Sequence, residues 1–497
     1  MNPALAIQAA VRVACVSTAL WLGGCSATMP DRAAAQGNAA GKQYNILFIL
    51  VDDLGAIDFG YTGSSLYVTP NIDALASKSV NFTHAYASSP VCSPTRAALM
   101  TGKSPTRLGI TTWIPGGEYQ DMPLREPAIP TQLPLQERTV AEVLKSQGYH
   151  TFFAGKWHLG GEGYLPRDQG FDFSVGGGHM GQPPGGYYSP YDNPHLPDGP
   201  DGEYLTDRLT DETIRFLETA GPNEPFFAFL SYYTVHTPIE AGPRGSENLF
   251  REAAQANRGS AGPQERPEGI GRTKLKQDNA AYASMIYALD ENVGRLLAAL
   301  HRLHLEDDTV IVLTSDNGGL STLDPAISLY AQGAPTSNEP LRAGKGWVYE
   351  GGIRVPLIIR APQQQSTGYD VTAPVISTDL FHTFLELAGA SSPASLDGAS
   401  LVPALKGLPL ATSRPLLWHF PHYHGSGSTP ASALLVGEWK LIKTYQTGRL
   451  ELFNLESDPG ETTDLSAREP ARTADLHALM QRMLAAENAK LPEAVQP

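Results

Sequence analysis

Short runs of apolar residues recur along the chain, and each is followed at once by polar side chains. The clearest runs cover residues 46–51, 152–154, 226–230 and 310–313, and no charged residue interrupts them. Such runs are typical of strands that are covered on both faces, as in a parallel sheet between helices. The polar residues that follow would emerge at the carboxyl edge of the sheet, where sites collect in doubly wound folds.

Helical spacing of apolar positions fills several of the segments between these strands. Residues 139–145 predict a capped amphipathic helix that ends before Gly148, and residues 282–300 predict a longer helix with one face toward the core. The polar stretch 241–275 predicts an irregular, exposed insertion. Alternating strands and helices of this kind indicate the α/β class.

The pattern changes near residue 400, where short strands separated by turns replace the longer alternation. These strands and a closing helix near 470–487 predict a small antiparallel α+β subdomain at 401–497. We therefore expect a catalytic domain over residues 43–400 followed by that C-terminal subdomain.

The N-terminus has the features of an export signal. One arginine precedes a short apolar run within residues 1–25, too short to span a bilayer. Leu22-Gly23-Gly24-Cys25 resembles the bacterial lipobox, in which the cysteine is lipidated, and residues 26–42 read as a flexible tether. This predicts an exported lipoprotein of the outer membrane or periplasm, held to the membrane only through a lipid on Cys25. An ordinary signal peptide cut nearby is the alternative.

Charge and cysteine content narrow the class of protein. The chain has 497 residues and a formal net charge of −15, which argues against a nucleic-acid partner because such a partner needs a basic face. Of the three cysteines, Cys15 and Cys25 lie in the segment expected to be processed. This leaves Cys92 alone, so no structural disulfide is expected.

Two of the apolar runs end in pairs of oxygen-bearing side chains. Asp52 and Asp53 follow the first run, and Asp316 and Asn317 follow the last. A solvated turn is the simpler reading of either pair alone. Together, at one edge of a sheet, they form four hard oxygen donors, which suit Ca²⁺ or Mg²⁺ better than zinc.

Cys92 opens a predicted helix, with Pro94 in its first turn and Arg96 one turn later. Free N–H groups at a helix N-terminus favour a bound anion. We therefore expect an anion to bind between the N-terminus of this helix and Arg96. A small buried hydrophobic side chain is the simpler reading of a lone cysteine.

The wider stretch 90–103 resembles the signature of the formylglycine-dependent (type I) sulfatases, Cys-x-Pro-x-Arg followed by an apolar pair and Thr-Gly. Residues 148–158 resemble the second sulfatase signature, and residues 341–356 resemble a further passage common in that family. The resemblance covers residues 43–465. It implies the alkaline-phosphatase-like fold, a large, mixed, mostly parallel sheet sandwiched by helices with a small C-terminal antiparallel sheet.

The resemblance also implies the chemistry. A formylglycine-generating enzyme would oxidise Cys92 to formylglycine, whose hydrate attacks the sulfur of a sulfate monoester. His158 would contact the formylglycine, and His236 and Lys345 would protonate the leaving oxygen. The implied catalytic residues are Cys92, Arg96, Lys156, His158, His236 and Lys345. The implied ligands of Ca²⁺, with Mg²⁺ as the alternative, are Asp52, Asp53, Cys92, Asp316 and Asn317.

The substrate is the least determined feature. His179 lies in a long loop rich in glycine, proline and tyrosine, and His422 and His424 lie in a histidine-rich segment. We expect all three to contact substrate, since zinc binding would need a partner cluster elsewhere. A sulfated carbohydrate is the expected substrate, with a small sulfated molecule also open. The alternative functions are a phosphate or phosphonate ester hydrolase of the same superfamily and an inactive glycan-binding surface lipoprotein.

Overall fold

Strand β1, Asn45–Val51, lies in the middle of the largest sheet of the computed structural model and divides the core in two. Its alternate side chains enter different apolar clusters, with Ile46, Phe48 and Leu50 on one face of the sheet. Leu47 and Ile49 point into the other cluster. The strand is therefore buried on both faces, as its unbroken apolar sequence predicts.

The structure describes residues 43–117, 119, 121–221, 224–326, 333–362, 368–391 and 396–495. The predicted signal peptide and lipobox at 1–25 and the predicted tether at 26–42 lie outside this range.

The largest sheet has eight strands among the described residues and is mixed but mostly parallel. In spatial order the strands are β14 (Tyr369–Val371), β2 (Val80–Phe82), β13 (Leu357–Arg360), β10 (Thr309–Ser315), β1, β7 (Phe226–Ser231), β5 (His150–Gly155) and β6 (Phe173–Val175). Only β13 runs antiparallel to its two neighbours. The predicted fold class is confirmed.

Helices cover both faces of this sheet. In chain order, the α-helices of the described residues are α1 (Pro70–Ala76), α2 (Cys92–Thr101), α3 (Pro105–Leu108), α4 (Val140–Ser146), α5 (Leu205–Leu217), α6 (Arg251–Gly259), α7 (Ala280–Arg302), α8 (Glu350–Ile353), α9 (Thr378–Leu387), α10 (Val402–Leu405) and α11 (Pro470–Ala486). Helices α1, α5 and α7 supply one apolar cluster, and α2, α4 and α9 supply the other. Because each cluster closes one face of the sheet, the architecture is a three-layer sandwich.

The register of the central strands brings their carboxyl ends to one edge. Val51 of β1 pairs with Ser315 of β10, and Leu50 pairs with Ser231 of β7. Ser231 in turn pairs with Gly155, the last residue of β5. The residues that follow these four strands therefore leave the sheet side by side.

The C-terminal part of the chain forms a separate four-stranded antiparallel sheet in the order β16, β17, β18, β19, with α11 packed on one face. Its strands are β16 (Leu416–Phe420), β17 (Ala431–Val436), β18 (Trp439–Thr444) and β19 (Leu450–Asn454). The remaining strands of the described residues form three small sheets. The first contains β3 (Ala85–Tyr86), β12 (Arg354–Val355) and β15 (Val375–Ile376), and the second contains β8 (Glu265–Glu268), β9 (Gly271–Lys274) and β11 (Thr322–Leu323). The third pairs β4 (Leu124–Arg125) with β20 (Glu493–Ala494).

The polar stretch 241–275 is more ordered than its sequence predicts. It contains a short 3₁₀ turn at Ser246–Leu249, helix α6, and the hairpin strands β8 and β9. Ala254 is the only buried residue of α6, and the helix has no apolar side chain larger than alanine, so its sequence gives little hydrophobic signal. Within the described part of the chain, no helix combines the length and the apolar character needed to cross a membrane.

Candidate active site

Cys92 is the first residue of helix α2 and lies buried where that helix meets the carboxyl edge of the main sheet. The preceding residue, Val91, is extended and offers no side chain to cap the helix. The free backbone N–H groups of the first turn therefore act on whatever occupies position 92. Burial raises the pKa of the Cys92 thiol to about 11, against the charges of Lys156 and Lys345. The unmodified side chain is an uncharged thiol at neutral pH.

Asp52 and Asp53 follow β1 and are almost completely buried. Asp53 adopts a left-handed backbone conformation with φ of 61°, which is uncommon outside glycine. Asp52 Oδ2 lies 2.7 Å from Lys156 Nζ. Asp52 Oδ1 accepts no hydrogen bond from any described residue. Burial raises the pKa of Asp52 well above its usual range, opposed by Lys156 and reinforced by neighbouring carboxylates.

Residues of the loop after β10 form hydrogen bonds with Asp53, which adjoins Asp52. The Asp53 N–H donates to Asp316 Oδ1 over 3.2 Å. Asn317 Nδ2 donates to Asp53 Oδ1 over 2.8 Å, while Asn317 Oδ1 has no hydrogen-bond partner among the described residues. The four oxygen-bearing residues predicted from the sequence thus meet at one place.

Two further cations pair with these carboxylates. Lys345 Nζ lies 2.8 Å from Asp53 Oδ2, and this pairing together with other nearby cations lowers the pKa of Asp53 despite its burial. Arg96 Nε donates to Asp316 Oδ2 over 2.9 Å. With Lys156 on Asp52, three cationic side chains converge within a buried cluster, so the local field differs from the acidic average of the chain.

The hydrogen bonds of two histidines fix which ring nitrogen carries the proton. His236 Nδ1 lies 2.7 Å from the Thr237 carbonyl, which can only accept, so Nε2 is the unprotonated nitrogen of the neutral ring. That Nε2 lies 3.7 Å from Asp53 Oδ2. His158 Nε2 lies 2.7 Å from the Ile114 carbonyl, which leaves His158 Nδ1 as a buried acceptor. Burial and the neighbouring lysines hold the pKa of both histidines well below the usual range.

The cluster fits a hard divalent cation. One ligand atom from each of Asp52, Asp53, Cys92 and His236 lies within 4.8 Å of the others. Asp52 Oδ1 and Asn317 Oδ1 are buried oxygens without hydrogen bonds from the described residues. Buried oxygens of this kind carry a free-energy cost unless a cation or donor satisfies them. The donor set is mainly carboxylate and amide oxygen, which Ca²⁺ and Mg²⁺ prefer.

The three histidines predicted to contact substrate lie in different surroundings. His424 packs against the backbone of Gly346, next to Lys345, and its Nδ1 accepts from the Ser426 N–H. His422 is buried and bonded to Thr111 over 2.8 Å, which engages its Nε2 inside the protein. His179 is exposed, next to Gly178, whose carbonyl accepts from the His158 N–H. The structure therefore brings only His424 into the packing around Lys345.

Several supporting residues were not identified from the sequence. Ser231 accepts from Arg96 Nη1 over 2.6 Å and donates to the Lys156 carbonyl. Ser93 donates to the His158 carbonyl and accepts from the Ile114 N–H. Ser231 ends β7 as Ser315 ends β10, so a polar residue closing a buried strand was the available signal. Ser93 gives no such signal, because its partners are distant in sequence.

Comparisons with known proteins agree with this geometry. The profile of the protein family described as Sulfatase matches residues 44–390, and that described as N-sulphoglucosamine sulphohydrolase, C-terminal, matches residues 343–490. A sulfatase of Formosa agariphila is 30% identical, over 90% of this chain and 89% of that protein. Human N-acetylgalactosamine-6-sulfatase is 31% identical, over 73% of this chain and 65% of its own length.

Solved structures give the same relationship. The crystal structure of Ps i-CgsB in complex with k-i-k-neocarrahexaose superimposes with a TM-score of 0.71 and 29% identity, covering 89% of this chain and 93% of that one. The family profile alone spans well over half of the chain, and its boundaries enclose the buried cluster around Cys92.

Proposed function

The chain belongs to the sulfatase family and is a sulfuric ester hydrolase, and on that premise we propose that it removes sulfate from sulfated carbohydrates. The proposed reaction uses a formylglycine made from Cys92 and a divalent cation. The observation that carries the proposal is the convergence of Arg96, Lys156 and Lys345 on buried carboxylates beside the N-terminus of α2. Cations in a dry site stabilise the charge that develops on a sulfate ester far more than they would in water.

Conversion of Cys92 to formylglycine would supply the nucleophile and the route of sulfate release that the thiol lacks. A buried thiol with a raised pKa is a poor nucleophile, and a sulfur-linked sulfate would have no easy route of release. One hydroxyl of the formylglycine hydrate would attack sulfur as the bond from sulfur to the alcohol oxygen breaks. The second hydroxyl would then lose its proton and re-form the aldehyde, which breaks the carbon–oxygen bond to sulfate and releases it. The free N–H groups at the start of α2 would stabilise negative charge at that position.

The surrounding side chains have separable roles in this proposal. His236 and Lys345 lie on the Asp53 side of the cluster and would protonate the oxygen of the departing alcohol, with His236 first taking up a proton at Nε2, which the negative charge of a bound sulfate ester favours. His158 presents Nδ1 as a free buried acceptor and would hold or receive a proton from residue 92. Arg96 is fixed by Asp316 and Ser231, so it would orient rather than titrate.

The divalent cation is proposed to be Ca²⁺, with Mg²⁺ as the alternative. Asp52, Asp53, Asp316 and Asn317 would hold it together with residue 92; in support, Asp53 is hydrogen-bonded to both Asp316 and Asn317, and ligand atoms of Asp52, Asp53 and Cys92 lie within 4.8 Å of one another. Ca²⁺ accepts this many oxygen ligands in irregular geometry more readily than Mg²⁺ does. Bound there, the ion would act as a Lewis acid on a sulfate oxygen.

The carbohydrate substrate is supported by the relatives. The human relative acts, by its name, on N-acetylgalactosamine 6-sulfate, and another Formosa agariphila relative is named an ulvan-active sulfatase. The superimposed Ps i-CgsB structure holds a neocarrahexaose. His424, beside Lys345, and the exposed His179 would contact the sugar. His422 belongs to the same proposal, although its ring is bonded to Thr111.

Export on a lipid anchor remains part of the proposal, with residues 1–25 as signal, Cys25 as the lipidated residue and 26–42 as tether. We also propose that the chain divides into a catalytic domain at 43–400 and a C-terminal subdomain at 401–497. Metabolic labelling with a radioactive fatty acid tests the anchor. The wild-type protein should carry the label, and the Cys25→Ser variant should not.

A substrate panel tests the proposed function. Purified enzyme is compared on sulfated monosaccharides and disaccharides, nitrophenyl sulfate and nitrophenyl phosphate. We expect kcat/KM to be highest on a sulfated sugar, and higher on nitrophenyl sulfate than on the phosphate. A preference for the phosphate would instead assign the chain to the phosphoester hydrolases of the superfamily. Hydrolysis of no substrate, with sugar binding retained, would assign it as a glycan-binding protein.

A further inference from the structure

A cleft of about 1010 Å³ is lined by segments that adjoin residues of the proposed active site along the chain. Its walls come from described residues between Gly117 and Glu126, from Tyr423 and from Glu493–Val495. Strands β4 and β20, which pair with each other, form one side. None of these residues is assigned a role in the proposed chemistry. A cleft of this size next to a reacting centre is large enough for a further part of a ligand.

The first wall leads directly out of the active site. Ile114 donates its N–H to Ser93, the neighbour of Cys92, and its carbonyl lies 2.7 Å from His158 Nε2. Gly117, at the lip of the cleft, follows three residues later. Three residues span at most about 11 Å when fully extended. The cleft therefore begins no more than about 11 Å from Ile114, which contacts the residues beside the reacting centre.

The second wall leads to the same place from the Lys345 side. The ring of His424 packs on Gly346, the residue after Lys345, and Tyr423 precedes His424 in the chain. Tyr423 lines the cleft. Two independent segments thus connect the reacting centre with one cleft.

The cleft presents an aromatic side chain with firm support. Tyr119 is partly exposed, and its ring lies 6.1 Å from the buried ring of Tyr423, centroid to centroid. Tyr423 is itself held by a hydrogen bond of 3.3 Å from the Leu124 N–H to its hydroxyl. A supported aromatic ring offers apolar area at low entropic cost and suits the C–H face of a pyranose.

The charges in the cleft are acidic. Asp121 is exposed and Glu126 is partly buried, and both line the cleft. Arg125, the only cation among the described lining residues, forms an ion pair with Glu493. A second sulfate placed here would meet like charge with no free cation to offset it, whereas carboxylates accept hydrogen bonds from neutral sugar hydroxyls.

We infer that this cleft is a subsite for an uncharged sugar unit joined to the sulfated one, and that it selects glycans in which the neighbouring unit carries no sulfate. The inference rests on the proposed function, because it concerns the same substrate. Tyr119 provides the stacking surface, and Asp121 and Glu126 provide the discrimination against a second sulfate.

Three matched substrates test the subsite in the wild-type enzyme. They are a sulfated monosaccharide, a disaccharide in which that unit is joined to an uncharged hexose, and the same disaccharide with a second sulfate on the hexose. We expect kcat/KM on the neutral-neighbour disaccharide to exceed that on each of the other two by roughly tenfold. Equal values on all three, or a preference for the disulfated compound, would overturn the inference. Hydrolysis of the monosaccharide alone would still support the proposed function, and hydrolysis of none would overturn both.

Two sets of variants test whether Tyr119 and Asp121 cause the preference for a disaccharide with an uncharged neighbour. Tyr119→Ala should lower kcat/KM on the neutral-neighbour disaccharide to the monosaccharide value through KM, while Tyr119→Phe, which keeps the ring, should not. Asp121→Asn tolerates the left-handed backbone at this position, φ 56°, and should narrow the gap between the neutral and disulfated disaccharides. Both variants should keep wild-type activity on nitrophenyl sulfate, which shows that they fold. Unchanged disaccharide kinetics in Tyr119→Ala would refute the assignment.

Discussion

At the scale of single residues, Asp53 is the point where the groups of the site meet. Its carboxylate accepts from Asn317 and Lys345, its N–H donates to Asp316, and His236 faces it from 3.7 Å. The left-handed backbone at Asp53 costs free energy that the surrounding contacts must offset. Strain held by such contacts fits a residue whose carboxylate must keep one orientation.

His236→Ala should separate leaving-group protonation from binding. A sugar alkoxide is strongly basic and needs a proton to depart, whereas nitrophenolate needs little help. General-acid assistance is worth about 10²–10⁴-fold, so the variant should lose that much kcat on a sulfated sugar and far less on nitrophenyl sulfate. His301→Ala, which changes an exposed histidine at the end of α7, is the control. Equal losses on both substrates would identify His236 as a sulfate ligand instead.

Metal dependence should follow from the oxygen cluster. Chelation should abolish turnover, and titration with Ca²⁺ or Mg²⁺ should restore it. Asp316→Asn keeps the shape of the side chain but removes a charge that pairs with Arg96, so metal content and activity should fall together. Asp475→Asn, on the exposed side of α11, should change neither. Full activity of metal-free enzyme would contradict the assignment of these residues.

At the scale of elements, one buried amide joins the loops that carry the site. Asn338 Nδ2 lies 2.9 Å from the Gly319 carbonyl, in the loop after β10. It also lies 3.0 Å from the carbonyls of Ala343 and Gly351, on either side of Lys345. This side chain therefore helps to position Lys345 relative to Asp316 and Asn317, together with the Lys345 N–H, which donates to the Gly319 carbonyl.

Asn338→Ala should therefore misplace Lys345 without removing any group from the chemistry. Loss of a supporting residue behind a metal or catalytic group typically costs about 10–100-fold in affinity or activity. We expect that loss in kcat/KM, with circular dichroism unchanged and the largest effect on sugars whose leaving group needs protonation. Asn257→Ala, in helix α6, is the matched control. Wild-type kinetics in Asn338→Ala would show that Lys345 is positioned by other contacts.

A buried ion cluster joins the C-terminal sheet to the region that follows Lys345. Lys440 of β18 lies 2.9 Å from Glu350 of α8 and 2.8 Å from Glu461. Lys440 thus pairs with two carboxylates that are completely buried, and Arg354 lies 3.7 Å from Glu350 as well. Burial, opposed by Lys440 and reinforced by the charge of Glu350, raises the pKa of Glu461 to about 7. Glu461 therefore takes up a proton on folding at mildly acidic pH.

The raised pKa of Glu461 predicts how the unfolding free energy changes with pH. Between the unfolded value near 4.5 and about 7, the folded protein binds more protons at Glu461, so its contribution to stability falls as pH rises through that window. Glu461→Gln removes the titration. The unfolding free energy of the wild type relative to this variant should fall by the order of 1–3 kcal/mol from pH 5 to pH 8. Chemical denaturation at both pH values measures it, and a constant difference would contradict the assigned titration.

At the scale of the whole molecule, the sequence predicted the parts that depend on local pattern. Unbroken apolar runs predicted the central strands, and the mixed, mostly parallel sheet is confirmed. The meeting of Asp52 with Asp316 followed from strand ends sharing one edge. Contacts that depend on packing between distant loops, such as the four acceptor atoms around Asn338 Nδ2, leave no local pattern. The burial of His422 is of the same kind, because Thr111 reaches it from another part of the chain.

Measuring how much of Cys92 has been converted to formylglycine tests most directly the claim that this residue is the nucleophile. Enzyme is produced with differing amounts of the formylglycine-generating enzyme, and the tryptic peptide at 79–96 is analysed by mass spectrometry for conversion of –CH₂SH to –CHO. Specific activity on a sulfated sugar should rise in proportion to the converted fraction, and Cys92→Ala should be inactive while remaining folded. Full activity in a preparation whose Cys92 is entirely unconverted would contradict the account.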